Sequence, residues 1–126
     1  MPTVITHGIV AGALSRFAGP DIPRARLVVL LAICAIVPDL DVIAFQFGIS
    51  YGHPLGHRGF THSLVFAGLV ATFLPSLFFG AARFGNTWWR LFTPFFFATV
   101  SHGVLDAFTD AGLGVGFFIP FDNSRY

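Results

Sequence analysis

The chain has 126 residues, of which 55% are apolar and 10% are charged. This length favours one domain and excludes two with separate cores, while the apolar content exceeds what a soluble domain of this size buries. A formal net charge of +1 gives no electrostatic indication of a nucleic-acid partner. All seven positive charges are Arg and all six negative charges are Asp, so the Lys- and Glu-rich surface typical of solvated helices is missing.

The first two predicted helices are short and apolar. Residues 6–17 carry Gly8 and Gly12, whose spacing permits close contact with another helix. Residues 27–38 contain no charge before Asp39, but 12 residues rise only about 18 Å and cannot span a bilayer alone. Cys34, inside this run, is expected to be a small buried residue.

The third and fourth predicted helices carry most of the apolar length. Residues 63–82 are 20 consecutive uncharged residues and form the strongest predicted transmembrane helix. Pro75 is expected to kink this helix without ending it. Residues 91–108 continue as a helix through His102 and Asp106. The connection at 47–59 is rich in Gly, and the connection at 83–90 combines Trp with Arg. Apolar and polar residues do not alternate with a period of two over any useful length, so no strand is predicted.

The predicted fold is therefore all-α, an antiparallel, membrane-embedded bundle of about four helices with a metal site at one end. Residues 1–126 are expected to form a single domain. Because the sequence stops at Arg125 and Tyr126 without a closing helix, this domain is expected to be incomplete at its C-terminus.

Chain direction alone sorts the polar residues of such a bundle to its two ends. One end receives the imidazoles and carboxylates of His7, Asp39, Asp41, His57, His62, His102 and Asp106. The other end receives the guanidinium groups of Arg16, Arg24, Arg26, Arg83 and Arg90. The positive-inside tendency places the arginine end in the cytoplasm. The end rich in His and Asp is the predicted metal site, with all seven of its residues as expected ligands.

The spacing within the motifs supports this metal site. His102 and Asp106 in HGVLD are four residues apart on one helical face, where they can share an ion or form a buried hydrogen-bonded pair. HRGFTHS supplies two His at the start of the third helix. PDLD supplies two carboxylates of the kind that bridge neighbouring metal ions, although loop carboxylates often only cap a helix.

Further residues are expected to support catalysis. Arg58 is expected to neutralise a substrate phosphate with its planar guanidinium, with a surface salt bridge as the alternative. Asp41 is expected to be catalytic as a bridging ligand. Thr109 and Asp110, just after HGVLD, are expected to orient the ligands, unless Asp110 simply ends the helix. His53 in GHPLGH fits an exposed linker better than a ligand.

Imidazole and carboxylate ligands without thiolate favour Zn and permit Mn or Fe. A bound ion of this kind lowers the pKa of water to near ~7 and polarises a scissile group, which suits ester hydrolysis. No Ser-His-Asp order and no Gly-rich phosphate loop indicates a competing chemistry.

Over nearly its whole length the sequence resembles the bacterial membrane-bound metal-dependent hydrolases described as LexA-binding, inner-membrane-associated hydrolases of the YdjM type. The resemblance rests on four motifs in order: THGIVAG around His7, VPDLD around Asp39 and Asp41, HRGFTHS around His57 and His62, and SHGVLDAFTDAG around His102 and Asp106. That family is similar in turn to the zinc phospholipase C and single-strand nuclease group, whose helical bundles hold a trinuclear zinc site. The later HxxxE-like ligands of that group have no counterpart in this sequence, so one or two ions are expected. The resemblance implies a multi-pass protein of the bacterial inner membrane and a protein partner.

The motifs support two functional hypotheses. The first is a hydrolase of phosphoesters that acts on a small-molecule or lipid ester, with membrane lipid as its surroundings. The second is a non-catalytic membrane protein that uses the same cluster to sense, store or move metal, or to dock a partner. An enzyme needs an open coordination position, whereas a structural site is closed by four protein ligands.

Overall fold

In the computed structural model, which describes residues 4–109 and 112–126, the chain is all-helical and these ranges contain no strand. The four α-helices are α1 (Val4–Leu14), α2 (Arg24–Cys34), α3 (Leu64–Phe79) and α4 (Asn86–Ala107). Short 3-10 segments cover Ser15–Ala18, Val37–Phe47 and Phe60–His62. The prediction of an all-α bundle of about four helices is confirmed.

Helix α4 is the centre of the bundle and packs against each of the other three helices. Trp88, Leu91 and Phe95 lie on its buried face, and the Trp88 indole N–H donates to the Thr72 carbonyl of α3 at 3.2 Å. The helix therefore begins at Asn86, five residues before the predicted start. The reason is that Trp88 packs in the core, whereas the Trp–Trp–Arg sequence had suggested an interfacial turn.

Helix α3 is shorter than the transmembrane segment predicted for residues 63–82. The Ser63 hydroxyl accepts a hydrogen bond from the Phe66 N–H at 3.1 Å and caps its start, while Gly80 ends it with φ 61°. Its 16 residues rise about 24 Å, which is less than the ~30 Å hydrocarbon core of a bilayer. Pro75 lies inside the helix without ending it, as predicted.

The stretch that is long and apolar enough to cross a membrane is instead Arg24–Phe47, in which α2 is followed by the second 3-10 segment. The second predicted helix, residues 27–38, had been expected to be too short to span a bilayer alone. In the structure Asp41 is turned inward and 8% exposed, while Val29 and Ile43 on the outside are more than half exposed. Within the described residues one such stretch is found, so the expectation of several passes stays a prediction.

The Gly8–Gly12 pair does not support the close helix contact that its spacing predicted. A Cβ built on either residue would meet no heavy atom of another described part of the chain within 4 Å. The pair therefore lies beside open space on the surface of α1.

The arginine end is assembled as predicted. Arg90 of α4 donates from Nε to the Ala18 carbonyl at 2.9 Å and pairs with Asp21, which ties α4 to the turn between α1 and α2. Arg26 lies over the ring of Phe79 at the end of α3. The remaining arginines of this end, Arg16, Arg24 and Arg83, are exposed.

The loop before α3 is compact because two of its glycines lie against backbone. A Cβ on Gly56 would come within 2.2 Å of the Ser50 carbonyl oxygen, and one on Gly59 within 2.2 Å of the Pro54 carbonyl oxygen. Backbone atoms in a hydrogen-bonded turn cannot move aside as a flexible side chain does. Only glycine fits these two positions.

We therefore expect Gly59→Ala to destabilise the protein by roughly 1–3 kcal/mol, the usual effect of overpacking a tight site. Gly68→Ala is the control, because Gly68 is helical and a Cβ there would meet nothing within 4 Å. That change should leave stability the same or raise it by up to ~1 kcal/mol. Thermal unfolding in detergent measures both, and equal midpoints for the two variants would contradict the assignment of this contact.

Candidate metal centre

Four side chains from three parts of the chain converge at the end of the bundle opposite the arginines. The potential ligand atoms of Asp39, His62, His102 and Asp106 all lie within 4.8 Å of one another. Asp39 comes from the 3-10 segment after α2, His62 ends the 3-10 turn before α3, and the other two lie one turn apart on α4. His62, His102 and Asp106 are buried, whereas the Asp39 side chain is 34% exposed.

The distances between these atoms suit a single ion. His102 Nε2 lies 3.1 Å from Asp39 Oδ1 and 3.6 Å from Asp106 Oδ2. His62 Nε2 lies 3.5 Å from Asp106 Oδ2 and 3.8 Å from Asp39 Oδ1. A tetrahedron with metal–ligand distances of about 2.0–2.2 Å has edges of roughly 3.3–3.6 Å. The four carboxylate–imidazole separations are therefore close to the edges of such a tetrahedron.

The same four atoms lack hydrogen-bond partners among the described residues. Asp39 Oδ1, His62 Nε2, His102 Nε2 and Asp106 Oδ2 are buried and accept or donate no hydrogen bond. Each buried polar atom left in this way costs about 1–3 kcal/mol, and more when it is charged. Native proteins rarely contain several buried polar atoms without hydrogen-bond partners at one place. The residues present therefore fit a bound cation.

The outer nitrogen of each imidazole, in contrast, is held by the protein. His102 Nδ1 donates to the Ala35 carbonyl oxygen at 2.7 Å. His62 Nδ1 lies 3.2 Å from Asp41 Oδ2. A proton fixed on Nδ1 leaves the lone pair on Nε2, which is the arrangement found in metal-binding His whose other ring nitrogen donates to a carbonyl or carboxylate oxygen.

Asp41 and His57, both predicted ligands, lie one layer behind the ligand atoms. Asp41 Oδ1 lies 2.6 Å from His57 Nδ1, and Asp41 Oδ2 accepts from Thr61 Oγ1 at 2.6 Å and from the Arg58 N–H at 3.1 Å. Both carboxylate oxygens are thus used within the protein. Asp41 thus contacts His62 and the loop before α3, and its predicted role as a bridging ligand stays a prediction.

His7 is brought to the site as predicted but stands beside the group of four. Its ring stacks on His102 with centroids 4.8 Å apart and planes 16° apart. The residue is 3% exposed, and its Nδ1 has no hydrogen-bond partner among the described residues. His53, in contrast, is exposed and its Nδ1 accepts from the Leu55 N–H at 3.1 Å.

Arg58 is buried and faces Asp106 instead of solvent. Its Nε lies 3.3 Å from Asp106 Oδ2, and its Nη2 donates to Thr109 Oγ1 at 3.1 Å. Its backbone has φ 60°, a conformation that is unfavourable for a non-glycine residue and is found at functional sites. Arg58 and Thr109 thus orient Asp106; the predicted contact of Arg58 with a substrate phosphate stays a prediction. Asp110 lies outside the described residues.

The cluster carries an excess of negative charge. The three carboxylates of Asp39, Asp41 and Asp106 face one guanidinium, so two negative charges remain when the imidazoles are neutral. Burial alone would lower the pKa of the His62 imidazole, but the carboxylates of Asp106 and Asp41 outweigh burial and raise it. The protein therefore favours a positive charge at this point.

Comparison with known proteins places the chain in a family. The YdjM inner membrane protein family matches residues 1–126. The chain belongs to this family. It is also 42% identical over 131 aligned positions to the inner membrane protein YbcI of Escherichia coli strain K12, covering all of this chain and 72% of that protein. No solved structure matches it. These names assign the YdjM-family protein to the inner membrane and do not mention a metal or a reaction.

In this YdjM-family protein one further residue, Arg125, holds the loop of the site, and the sequence analysis did not identify it. The Arg125 guanidinium lies 3.1–3.3 Å from the backbone carbonyl oxygens of Tyr51, His53, His57, Arg58 and Gly114. In addition, the Val115 N–H donates to the Tyr126 carbonyl at 2.8 Å. The last residues thus fasten the loop that carries His57 and Arg58. Every residue has a backbone carbonyl, so the acceptors of the Arg125 guanidinium cannot be identified from the sequence. Only the position of an isolated Arg could have suggested that it holds this loop.

The hydrogen bonds predict opposite tautomers for two histidines. His102 should carry its proton on Nδ1, because a carbonyl oxygen can only accept, and His53 should carry it on Nε2. Long-range proton–nitrogen correlation spectra at alkaline pH measure this through the nitrogen shift of each ring. A protonated Nε2 on His102 would show that this nitrogen is not directed at a ligand position.

Proposed function

We propose that this YdjM-family protein binds a divalent metal ion, with zinc as the best fit, through Asp39, His62, His102 and Asp106. The observation that carries the proposal is the convergence of four buried ligand atoms without hydrogen-bond partners among the described residues. Two imidazoles and two carboxylates without thiolate favour Zn and permit Mn or Fe. This set supplies ligands for one ion, and a second ion would need His7 with further ligands.

We further propose that the metal centre hydrolyses phosphoesters, with membrane phospholipid or another lipid ester as the substrate class. A bound zinc ion supplies acidity, bringing the pKa of a water molecule to near ~7 and polarising the phosphoryl oxygen. In the reaction the oxygen of water joins phosphorus, the ester P–O bond breaks, and a proton passes to the departing alkoxide. Asp39 is the least buried member of the set, which supports its carboxylate as the acceptor of a proton from the attacking water.

The supporting residues have defined tasks under this proposal. Arg58 keeps Asp106 ionised and oriented through the contact between its Nε and Asp106 Oδ2. Asp41 and the Ala35 carbonyl hold the two imidazoles with Nε2 directed at the site. Binding, orientation and proton transfer are thus distributed over separate groups of the chain.

A second candidate function is a non-catalytic metal site that senses, stores or moves metal, or that docks a protein partner. The observation in its favour is that four protein ligands complete a tetrahedral set, which is typical of a structural zinc site. Such a site would tie the end of the second 3-10 segment, the start of α3 and the end of α4 together. The exposure of Asp39 distinguishes the two, because an exchangeable ligand would open a position for substrate.

Metal analysis of the purified protein tests the metal proposal. We expect about one zinc ion per chain in the wild type and in His53→Ala, which changes the exposed His outside the cluster. His102→Ala and Asp106→Asn should each lose more affinity than the ~10–100-fold that a supporting residue contributes. Retained helical content by circular dichroism would show that the variants fold. Full metal occupancy in both variants would refute this ligand set.

The same samples test hydrolysis with bis(p-nitrophenyl) phosphate and a short-chain phospholipid. Turnover by the wild type and by His53→Ala, and its loss in His102→Ala together with the metal, would support the hydrolase. Full metal occupancy without turnover of either ester would instead favour the non-catalytic site.

The position of Asp41 behind His62 gives a separate prediction. Asp41→Asn keeps the size of the side chain but removes the charge that holds His62 Nδ1–H and Thr61. We expect metal affinity to fall roughly 10–100-fold while stoichiometry at saturation stays unchanged. Asp122→Asn, which alters an exposed carboxylate bonded only to Ser124 among the described residues, is the control. A loss of stoichiometry in Asp41→Asn would mean that Asp41 is itself a ligand.

A further inference from the structure

Two exposed arginines share a cavity at the arginine end, far from the metal centre. The cavity measures about 580 Å³ and is lined by Ser15, Arg16, Gly19, Pro20, Ile22 and Arg24. Neither guanidinium has a hydrogen bond or ion pair with another residue that the structure describes. The nearby carboxylate of Asp21 is already paired with Arg90. The cavity therefore presents two positive charges that no acidic side chain neutralises.

The backbone adds to the positive potential of this cavity. Helix α2 begins at Arg24, has no side-chain cap at Pro23 and has no acidic residue in its first turn. The first N–H groups of a helix lack partners within the helix and carry partial positive charge. The planar guanidinium group donates two parallel hydrogen bonds to two oxygens of a phosphate. An anion with several oxygens suits this combination.

A second cavity, which is mostly apolar, shares one lining residue with the first. It measures about 540 Å³, shares Arg16, and is otherwise lined by Gly12, Ala13 and Phe17. Phe17 is 71% exposed, and a Cβ built on Gly12 would meet no heavy atom within 4 Å outside the backbone of its own helix. A charged cavity thus meets an apolar groove at Arg16. This arrangement matches a molecule with an anionic head and a hydrocarbon chain.

We propose that Arg16 and Arg24 bind the phosphate of an anionic phospholipid whose acyl chain lies along Gly12, Ala13 and Phe17. The apolar groove is what favours a lipid over free phosphate, because inorganic phosphate would leave that surface exposed. The inner membrane supplies such lipids, and their negative surface attracts basic residues at its cytoplasmic face. The site is independent of the metal centre and of its reaction.

Lipid binding to the full chain in a neutral detergent tests the proposal by native mass spectrometry or a thermal shift. The probes are dioctanoyl phosphatidylglycerol, dioctanoyl phosphatidylcholine and glycerol 3-phosphate. We expect the phosphatidylglycerol to bind most tightly. The double variant Arg16→Gln/Arg24→Gln should weaken its binding about thirty-fold, since each Arg near an anionic surface contributes about 1 kcal/mol.

The matched control is Arg26→Gln/Arg83→Gln, which removes two charges from the same end. Those guanidiniums lie over the rings of Phe79 and Phe73, outside both cavities. Unchanged binding in the control supports a defined site. Equal losses in the two double variants, equal affinity for the zwitterionic lipid, or equally tight binding of glycerol 3-phosphate would each overturn the proposal. Each single variant, Arg16→Gln and Arg24→Gln, keeps the test valid if the double variant does not fold.

Discussion

The structure depends on the cost of holding carboxylates and imidazoles in an apolar interior. Removing one ionised carboxylate from water costs several kcal/mol unless a cation or hydrogen-bond donors replace the water. Asp41 is satisfied by donors from the loop before α3, and Arg58 neutralises part of the charge on Asp106. Asp39 Oδ1 and Asp106 Oδ2 have no hydrogen bond of their own among the described residues. Because of this remaining negative charge, the residues of the site fit a bound cation.

Close packing around the site brings the backbone of α4 near the turn before α3. A Cβ on Gly103, the residue after His102, would lie 3.2 Å from the His62 carbonyl oxygen. The glycine therefore lets the turn before α3 approach α4, and the ring centroids of His62 and His102 lie 5.0 Å apart. Arg125 then fixes the preceding loop from outside. The order His-Gly in the motif thus has a steric reason as well as a chemical one.

The four helices and the meeting of the polar residues could be predicted from the apolar runs and from an antiparallel order of consecutive helices. The connection from α2 to α3 is nevertheless long, since residues 35–63 contain two 3-10 segments. The different contacts of Asp39 and Asp41 could not be predicted. They lie in a 3-10 segment, where residues two apart point in directions about 120° from each other. One carboxylate consequently faces the ligand group and the other faces the loop. In a loop or an α-helix the two carboxylates would point in other relative directions. The apolar residues of PDLD do not show which of these three backbone conformations the segment adopts.

The exposed ligand also bears on which substrates the proposed hydrolase would accept. Asp39 is the least buried of the four ligands, and it belongs to Arg24–Phe47, the stretch that can cross a membrane. On that same segment Leu40 and Ile43 are more than half exposed. The less buried side of the candidate metal centre is therefore bordered by exposed apolar side chains. A substrate reaching Asp39 would pass apolar side chains, which favours an ester with an acyl chain over one that is soluble in water.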